Sequence, residues 1–522
     1  MKFKLSLIII AGLFCSTAAA DELHGTVSPN DIDVVISKNL YGQFAEHLGN
    51  SIYEGIWVGR DSDIPNTRGI RNDVVAALKE IKVPVVRWPG GCFADEYDWR
   101  DGIGDPQTRP MRKNNWWGGT PEPNSFGTHE FFDFAEQIGA DAYVSVNVAS
   151  STPMAMREWI EYMTSTGNDD LAQERRKNGR DAPFDLKYVG IGNESWGCGG
   201  FMTAEYYANR YRRFASFFHK NGSNFHMNND NKAIRVASGA NNLDTNWTDT
   251  VMTSAGNVMD AISLHFYTLH TGNWPERDKA AATGFNDTQW NGILYQASRM
   301  EDVLEQHEAV MDRIDPEKRI SLYVDEWGTW YAPEKGTNPA FLYQQNTLRD
   351  ALVAGITFNI FHQHADRVGM ANIAQAVNVL QAMILTDGAD MAKTPTFYAF
   401  RMFTPFQEST RLDTNFISPM ISSEEGDYPA ITLSAATTTK NETVIGLTNA
   451  SLFDPHTITL SLKDIEGTSV SGEILTHSKL DAHNRPGEQE QIAPAVFDGA
   501  KIKGNKLTIE LPAKSVVVLK VR

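Results

Sequence analysis

Cysteine is almost missing from this chain: Cys15, Cys92 and Cys198 are the only three in 522 residues. So few exclude a disulfide-stapled scaffold and a cysteine-rich metal module. Long apolar runs are missing beyond the first twenty residues, so no later segment is a candidate membrane-spanning helix. Positive charge is in deficit, with 47 Lys and Arg against 65 Asp and Glu and a formal net charge of −18. A surface of that sign repels polyphosphates and anionic lipids, which makes nucleic acid and membranes poor partners. Neutral polymers meet no such penalty. A Gly-x-Gly-x-x-Gly fingerprint is also lacking, and with it the main signal of a dinucleotide-binding open sheet.

What is present begins with an export signature. Lys2 and Lys4 precede an apolar run from Leu5 to Phe14, and Ala18-Ala19-Ala20 supplies small residues for cleavage. This predicts a signal peptide over residues 1–20 and a periplasmic or secreted address. The length favours two domains. From about residue 40 to residue 403, short apolar runs alternate with amphipathic stretches. The runs include Pro84–Trp88, Ala142–Val148, Lys187–Ile191, Ile234–Ser238, Ala261–Tyr267 and Ile320–Val324. Adding an opening strand at Leu40-Tyr41-Gly42 and a closing one near Ile360-Phe361-His362 makes eight units, which predicts an α/β fold of the (β/α)8 TIM-barrel type. Residues 404–522 read instead as alternating strands without helices, such as Thr443–Leu447 and Ser515–Leu519, and predict an antiparallel β-sandwich. Residues 21–39 are strand-like and are expected to join that sandwich.

Barrel enzymes assemble their sites at the carboxyl ends of strands. Two strand ends carry carboxylates: Gly192-Asn193-Glu194 after the fourth strand and Asp325-Glu326-Trp327-Gly328 after the seventh. Either glutamate alone would be an ordinary surface acid. Together with His265-Phe266-Tyr267 on the sixth strand they match retaining glycoside hydrolysis, which needs two carboxyl groups roughly 5 Å apart. Asn193 is placed to hold a sugar hydroxyl, Tyr267 to position the nucleophile, and Trp99 and Trp327 to bound the pocket. Strand alternation turns Asp325 away from Glu326. His47, His265, His362 and His364 belong to different strands and lack metal-ligand spacing, so no metal is expected. Trp116-Trp117-Gly118-Gly119 is a substrate wall or an oligomer contact.

With Tyr41–Gly49, Arg87–Gly91, Tyr97–Gly104 and Asn372–Asn378 added, the sequence resembles family 51 of the glycoside hydrolases, the α-L-arabinofuranosidases. The resemblance implies retention, no cofactor, and a homo-oligomer acting on arabinose-containing oligo- or polysaccharides such as arabinan or arabinoxylan. It implies Glu194 as acid/base and Glu326 as nucleophile, with Glu46, Asn193, Tyr267 and Gln375 on the sugar ring. Trp99 would lie toward the leaving side, with His265 as a further substrate contact. Cys92 stands where many relatives carry Asn, and a thiol is a poorer hydrogen-bond partner than an amide. Cys92 and Cys198 are either a disulfide or two free thiols. The alternative activity on the same scaffold is a retaining endo-β-glucanase or xylan-active hydrolase.

Overall fold

The computed structural model describes residues 22–220, 230–272 and 279–522. The expected signal peptide, residues 1–20, lies outside them. Eight parallel strands close a barrel in chain order: Gly42–Phe44, Val85–Trp88, Asp141–Val146, Leu186–Ile191, Ile234–Asn241, Ala261–Thr268, Ser321–Thr329 and Val368–Ala374. They are buried on both faces because helices such as Asn72–Glu80, Thr128–Ile138 and Ala204–Ser216 cover the outside. Inside, Val85, Tyr143, Tyr188, Val236, Ala261, Tyr323 and Met370 form one packed layer that plugs the barrel. The plug leaves only the carboxyl ends of the strands to build a site.

The eighth strand is not where the apolar pattern placed it. Ile360-Phe361-His362 lies in the helix Leu348–Gln363, and the strand follows at Val368–Ala374. The reason is burial on all sides: every residue from Leu348 to His362 is buried. A helix wedged between two layers loses its polar face and reads like a buried strand. On one side it meets the barrel, where Tyr41 Oη and His362 Nε2 are 2.8 Å apart. On the other it meets the carboxy-terminal domain through Asn359 Nδ2 to Thr432 Oγ1 at 3.0 Å and His362 Nδ1 to Ser434 Oγ at 2.8 Å.

That domain is a single ten-stranded sheet, antiparallel except where Leu23–Pro29 runs parallel to His456–Leu462. Leu433, Ile445, Leu460, Ile509 and Leu519 come from strands far apart in the sheet yet share one core. The sheet is therefore rolled over its own interior, as a sandwich is. An excursion between two of its strands reaches back to the barrel mouth. There Ala482 O accepts from Leu348 N at 2.9 Å, and Asn484 Nδ2 donates to Lys393 O at 2.9 Å.

Candidate active site

Glu194 follows the fourth barrel strand on a sharp turn. Gly192 has φ 93° and Glu194 itself φ 38°, a left-handed conformation that a residue with a side chain adopts only when its surroundings impose it. Asp95 is one such restraint. Its Oδ1 accepts from Val148 N and Ala149 N at 2.8 and 3.0 Å, and its Oδ2 from Asn193 N at 3.2 Å. A second is the disulfide between Cys92 and Cys198. Cys198 Sγ lies 3.5 Å from Glu194 Oε2. The segment from Cys92 to Asp95 thus grips the turn at two points.

Glu326 sits within the seventh strand, beside His265 of the sixth. The register jumps here: Ser263 pairs with Tyr323, but His265 pairs with Glu326. The extra residue is a bulge, and it breaks the alternation that would turn Asp325 outward. Both carboxylates consequently face the barrel interior and share Arg87, whose Nη1 donates to Glu326 Oε1 at 2.8 Å and whose Nε is 3.4 Å from Asp325 Oδ2. Arg87 Nη2 also donates to Asn193 Oδ1 at 2.6 Å, tying the two halves of the site together. Tyr267 Oη donates to Glu326 Oε2 at 2.9 Å.

His265 stands between the acids. Its Nδ1 is 2.9 Å from Glu194 Oε1 and 3.5 Å from Glu326 Oε2, and its Nε2 is 3.1 Å from Asp325 Oδ1. Burial alone would push this imidazole down, but Glu326, Asp325 and Glu194 outweigh it and raise the group to about 10. His265 is therefore an imidazolium at neutral pH. Burial opposes the charge on Asp325 too, yet Arg87 and the hydrogen bonds from His265 and Tyr143 hold it below the usual carboxylate range. Glu194 goes the other way: burial, helped by the charge of Glu326, raises it against the pull of His265. One raised acid beside a carboxyl group hydrogen-bonded by Arg87 and Tyr267 suits the division of labour between a proton donor and a nucleophile. One oxygen of Glu194, one of Glu326 and a ring nitrogen of His265 lie within 4.8 Å of one another, which fits the close spacing of a retaining pair. The side chain of Glu194 is 17% exposed and that of Glu326 6%, so Glu194 lies nearer the entrance.

A fourth acid completes the pocket. Glu46 Oε1 accepts from Phe93 N at 3.0 Å and Trp117 Nε1 at 2.9 Å, and Gln375 Nε2 reaches its Oε2 at 3.4 Å. A Cβ at Gly90 or Gly91 would come within 3.0 Å of this side chain, so the Pro-Gly-Gly turn is what lets the backbone close over it. Burial, reinforced by the charge of Glu326, pushes Glu46 from 4.5 up to about 8. Between those values the folded protein keeps a proton that the unfolded chain has released. The contribution to stability is full below about 4.5 and is lost as pH rises through about 8. Glu46→Gln has no proton to lose. Its melting temperature is expected to fall less than that of the wild type from about pH 5 to pH 8, an advantage on the order of a few kcal/mol. Parallel calorimetric curves for the two proteins would show that Glu46 is not buried as a neutral acid.

Comparison with known proteins follows the same geometry. Residues 77–280 match the family model "Alpha-L-arabinofuranosidase 1 domain", and residues 325–515 match "Alpha-L-arabinofuranosidase C-terminal domain". An intracellular exo-α-L-arabinofuranosidase of Bacteroides ovatus is 46% identical over 100% of both chains. The chain belongs to family 51 of the glycoside hydrolases. The crystal structure of a family 51 arabinofuranosidase from Xanthomonas axonopodis pv. citri superposes with a TM-score of 0.92 at 46% identity, covering 96% of this chain and 100% of that one. An intracellular exo-α-(1→5)-L-arabinofuranosidase of Halalkalibacterium halodurans is 29% identical, over 93% of this chain and 96% of its own. Membership makes the protein a glycoside hydrolase of the arabinofuranosidase type. The same names overturn the periplasmic or secreted address expected from the N-terminus, because both relatives are named as intracellular enzymes.

For the family 51 site, Glu46, Asn193, Glu194, His265, Tyr267, Glu326 and Gln375 come together as one cluster. Three expectations need correction. Trp99 is a core residue, 4% exposed and packed against Trp159 and Tyr162, because its turn folds back onto the helix Pro153–Thr164. Trp327 likewise points outward, against Phe358, Phe361 and Phe400. Cys92 offers no thiol, since its sulfur is bonded to Cys198. Among the other histidines, His47 joins Glu122 and the Trp88 indole, and His364 joins Glu301 and Glu308. Sequence reasoning left out Asp95, gave Arg87 no role beyond its motif, and read Trp117 as a substrate wall or an oligomer contact, where the structure has it donating to Glu46. The signal for Arg87 was an arginine inside the apolar strand Val85–Trp88, a place no charge occupies without partners.

Proposed function

We propose that the protein releases terminal α-L-arabinofuranosyl residues from arabinan- or arabinoxylan-derived oligosaccharides by double displacement. Glu326 attacks the anomeric carbon while Glu194 protonates the leaving oxygen, which forms a glycosyl–enzyme ester. Glu194 then takes a proton from water, and the attack of that water on the anomeric carbon frees Glu326. Arg87 and Tyr267 hold the nucleophile in place through their hydrogen bonds. Asn193, Glu46 and Gln375 line the space that a furanose ring would occupy. The observation that carries the reading is the 4.8 Å cluster of a raised carboxyl after the fourth strand and a paired carboxylate within the seventh. The names of the relatives support exo action over the endo-acting alternative and support work inside the cell. The test is proton NMR of arabinose as it leaves 4-nitrophenyl α-L-arabinofuranoside. The α anomer is expected to appear first and then mutarotate. First appearance of the β anomer would replace the double displacement with a single inversion.

A further inference from the structure

Beside the catalytic pocket lies a second concavity, a cleft of about 470 Å³. Its walls come from both domains: Glu334, Phe341, Tyr343 and Gln345 from the loop after the seventh barrel strand, Asn378 from the loop after the eighth, and Arg485 from the excursion of the carboxy-terminal sheet. The segment Phe341–Tyr343 separates it from the catalytic pocket. Leu342 turns into the apolar cluster with Phe44 and Leu48, against which Trp117 and Tyr267 of the active site also pack. Phe341 and Tyr343, on either side of Leu342, line the cleft instead. Phe341 also sits against Gly49, and Gly118, next to Trp117, sits against Asn338, Ala340 and Phe341. Leu342 and the apolar cluster it joins therefore lie between the two concavities.

The lining has the chemistry of neutral sugar recognition. Two aromatic side chains are combined with amides and with charges of both signs, Glu334, Asp387 and Glu488 against Lys335 and Arg485, so that hydroxyl groups find donors and acceptors. One of the amides is unsatisfied: Gln345 is 4% exposed and its Oε1 has no hydrogen-bond partner. A buried acceptor left without a donor is costly, and a ligand hydroxyl is the donor that would relieve it. The volume lies within the usual range for a ligand site and exceeds what one pentose needs.

We propose that this cleft binds the body of a neutral pentosyl oligosaccharide whose terminal residue is held in the catalytic pocket, so that the carboxy-terminal domain contributes directly to substrate choice through Arg485. The inference rests on the arabinofuranosidase reading above. The experiment compares kcat and KM for α-1,5-linked arabinopentaose, arabinobiose and 4-nitrophenyl α-L-arabinofuranoside in wild type, Arg485→Ala, Tyr343→Ala and the double variant. Wild type is expected to show a lower KM for the pentaose than for the biose. The double variant is expected to raise the pentaose KM about tenfold while biose and aryl kinetics stay within about twofold. An unchanged pentaose KM overturns the proposal. A parallel loss on all three substrates also overturns it, because the residues would then be supporting the catalytic pocket. A wild type inactive even on the aryl glycoside would instead defeat the arabinofuranosidase reading itself.

Discussion

Replacing Glu326 with alanine is expected to lower kcat on 4-nitrophenyl α-L-arabinofuranoside by about 10⁴-fold or more. No other group can take its place. Asp325 is buried at the base of the site, held by Arg87, His265 and Tyr143, and Glu46 is held as a neutral acid at neutral pH. The cavity left by the carboxylate is large enough for azide, which would attack the substrate directly from that face. The product would be β-arabinofuranosyl azide, with inverted configuration. A second signature is electrostatic. Glu326 is the largest of the charges that raise His265 to about 10, so the imidazolium should titrate at lower pH in the variant, which proton–nitrogen NMR of the ring would follow. A variant that keeps a tenth of wild-type turnover, with His265 unmoved, would mean that the nucleophile is elsewhere.

Which parts of this site could be read from residues alone follows from how local each signal is. Glu194 and Glu326 were legible because one follows and the other lies within a buried strand, where a charge has no business unless it has a function. Asp325 was misplaced because period-two alternation holds only while the ladder is regular, and the bulge between Ser263 and His265 is a property of two paired strands rather than one. The eighth strand failed for a related reason. Helix Leu348–Gln363 is sealed between the barrel and the carboxy-terminal sheet, so it has no polar face to give it a helical period. Trp99 was misassigned by composition: an aromatic in a mouth loop suits a sugar, and only the packing of that loop onto Trp159 and Tyr162 shows it to be core. Alternation in the last hundred residues revealed strands, but the order that rolls ten of them into one sheet depends on pairing partners that no single strand encodes.

Glu194→Ala is expected to separate the two chemical steps. With a poor leaving group, the first step needs a proton delivered to the departing oxygen, and losing the donor should cost about 10² to 10⁴ in rate. With 2,4-dinitrophenolate, which leaves without help, the first step is spared. The second step is then slow because no base activates water, so a burst of phenolate is followed by an accumulated ester on Glu326. Azide needs no base, and it should restore turnover and give α-arabinofuranosyl azide with retained configuration, the opposite of the product from the Glu326 variant. The pH profile supplies an independent sign. Burial and the charge of Glu326 raise Glu194, and the wild type is expected to lose activity on the basic side as this carboxyl gives up its proton. That limb should vanish in Glu194→Ala while the acid limb remains. A variant equally impaired with every leaving group, or one that keeps the basic limb, would assign the proton to another residue. His265 would be first in question, because its ring nitrogen lies 2.9 Å from the same oxygen.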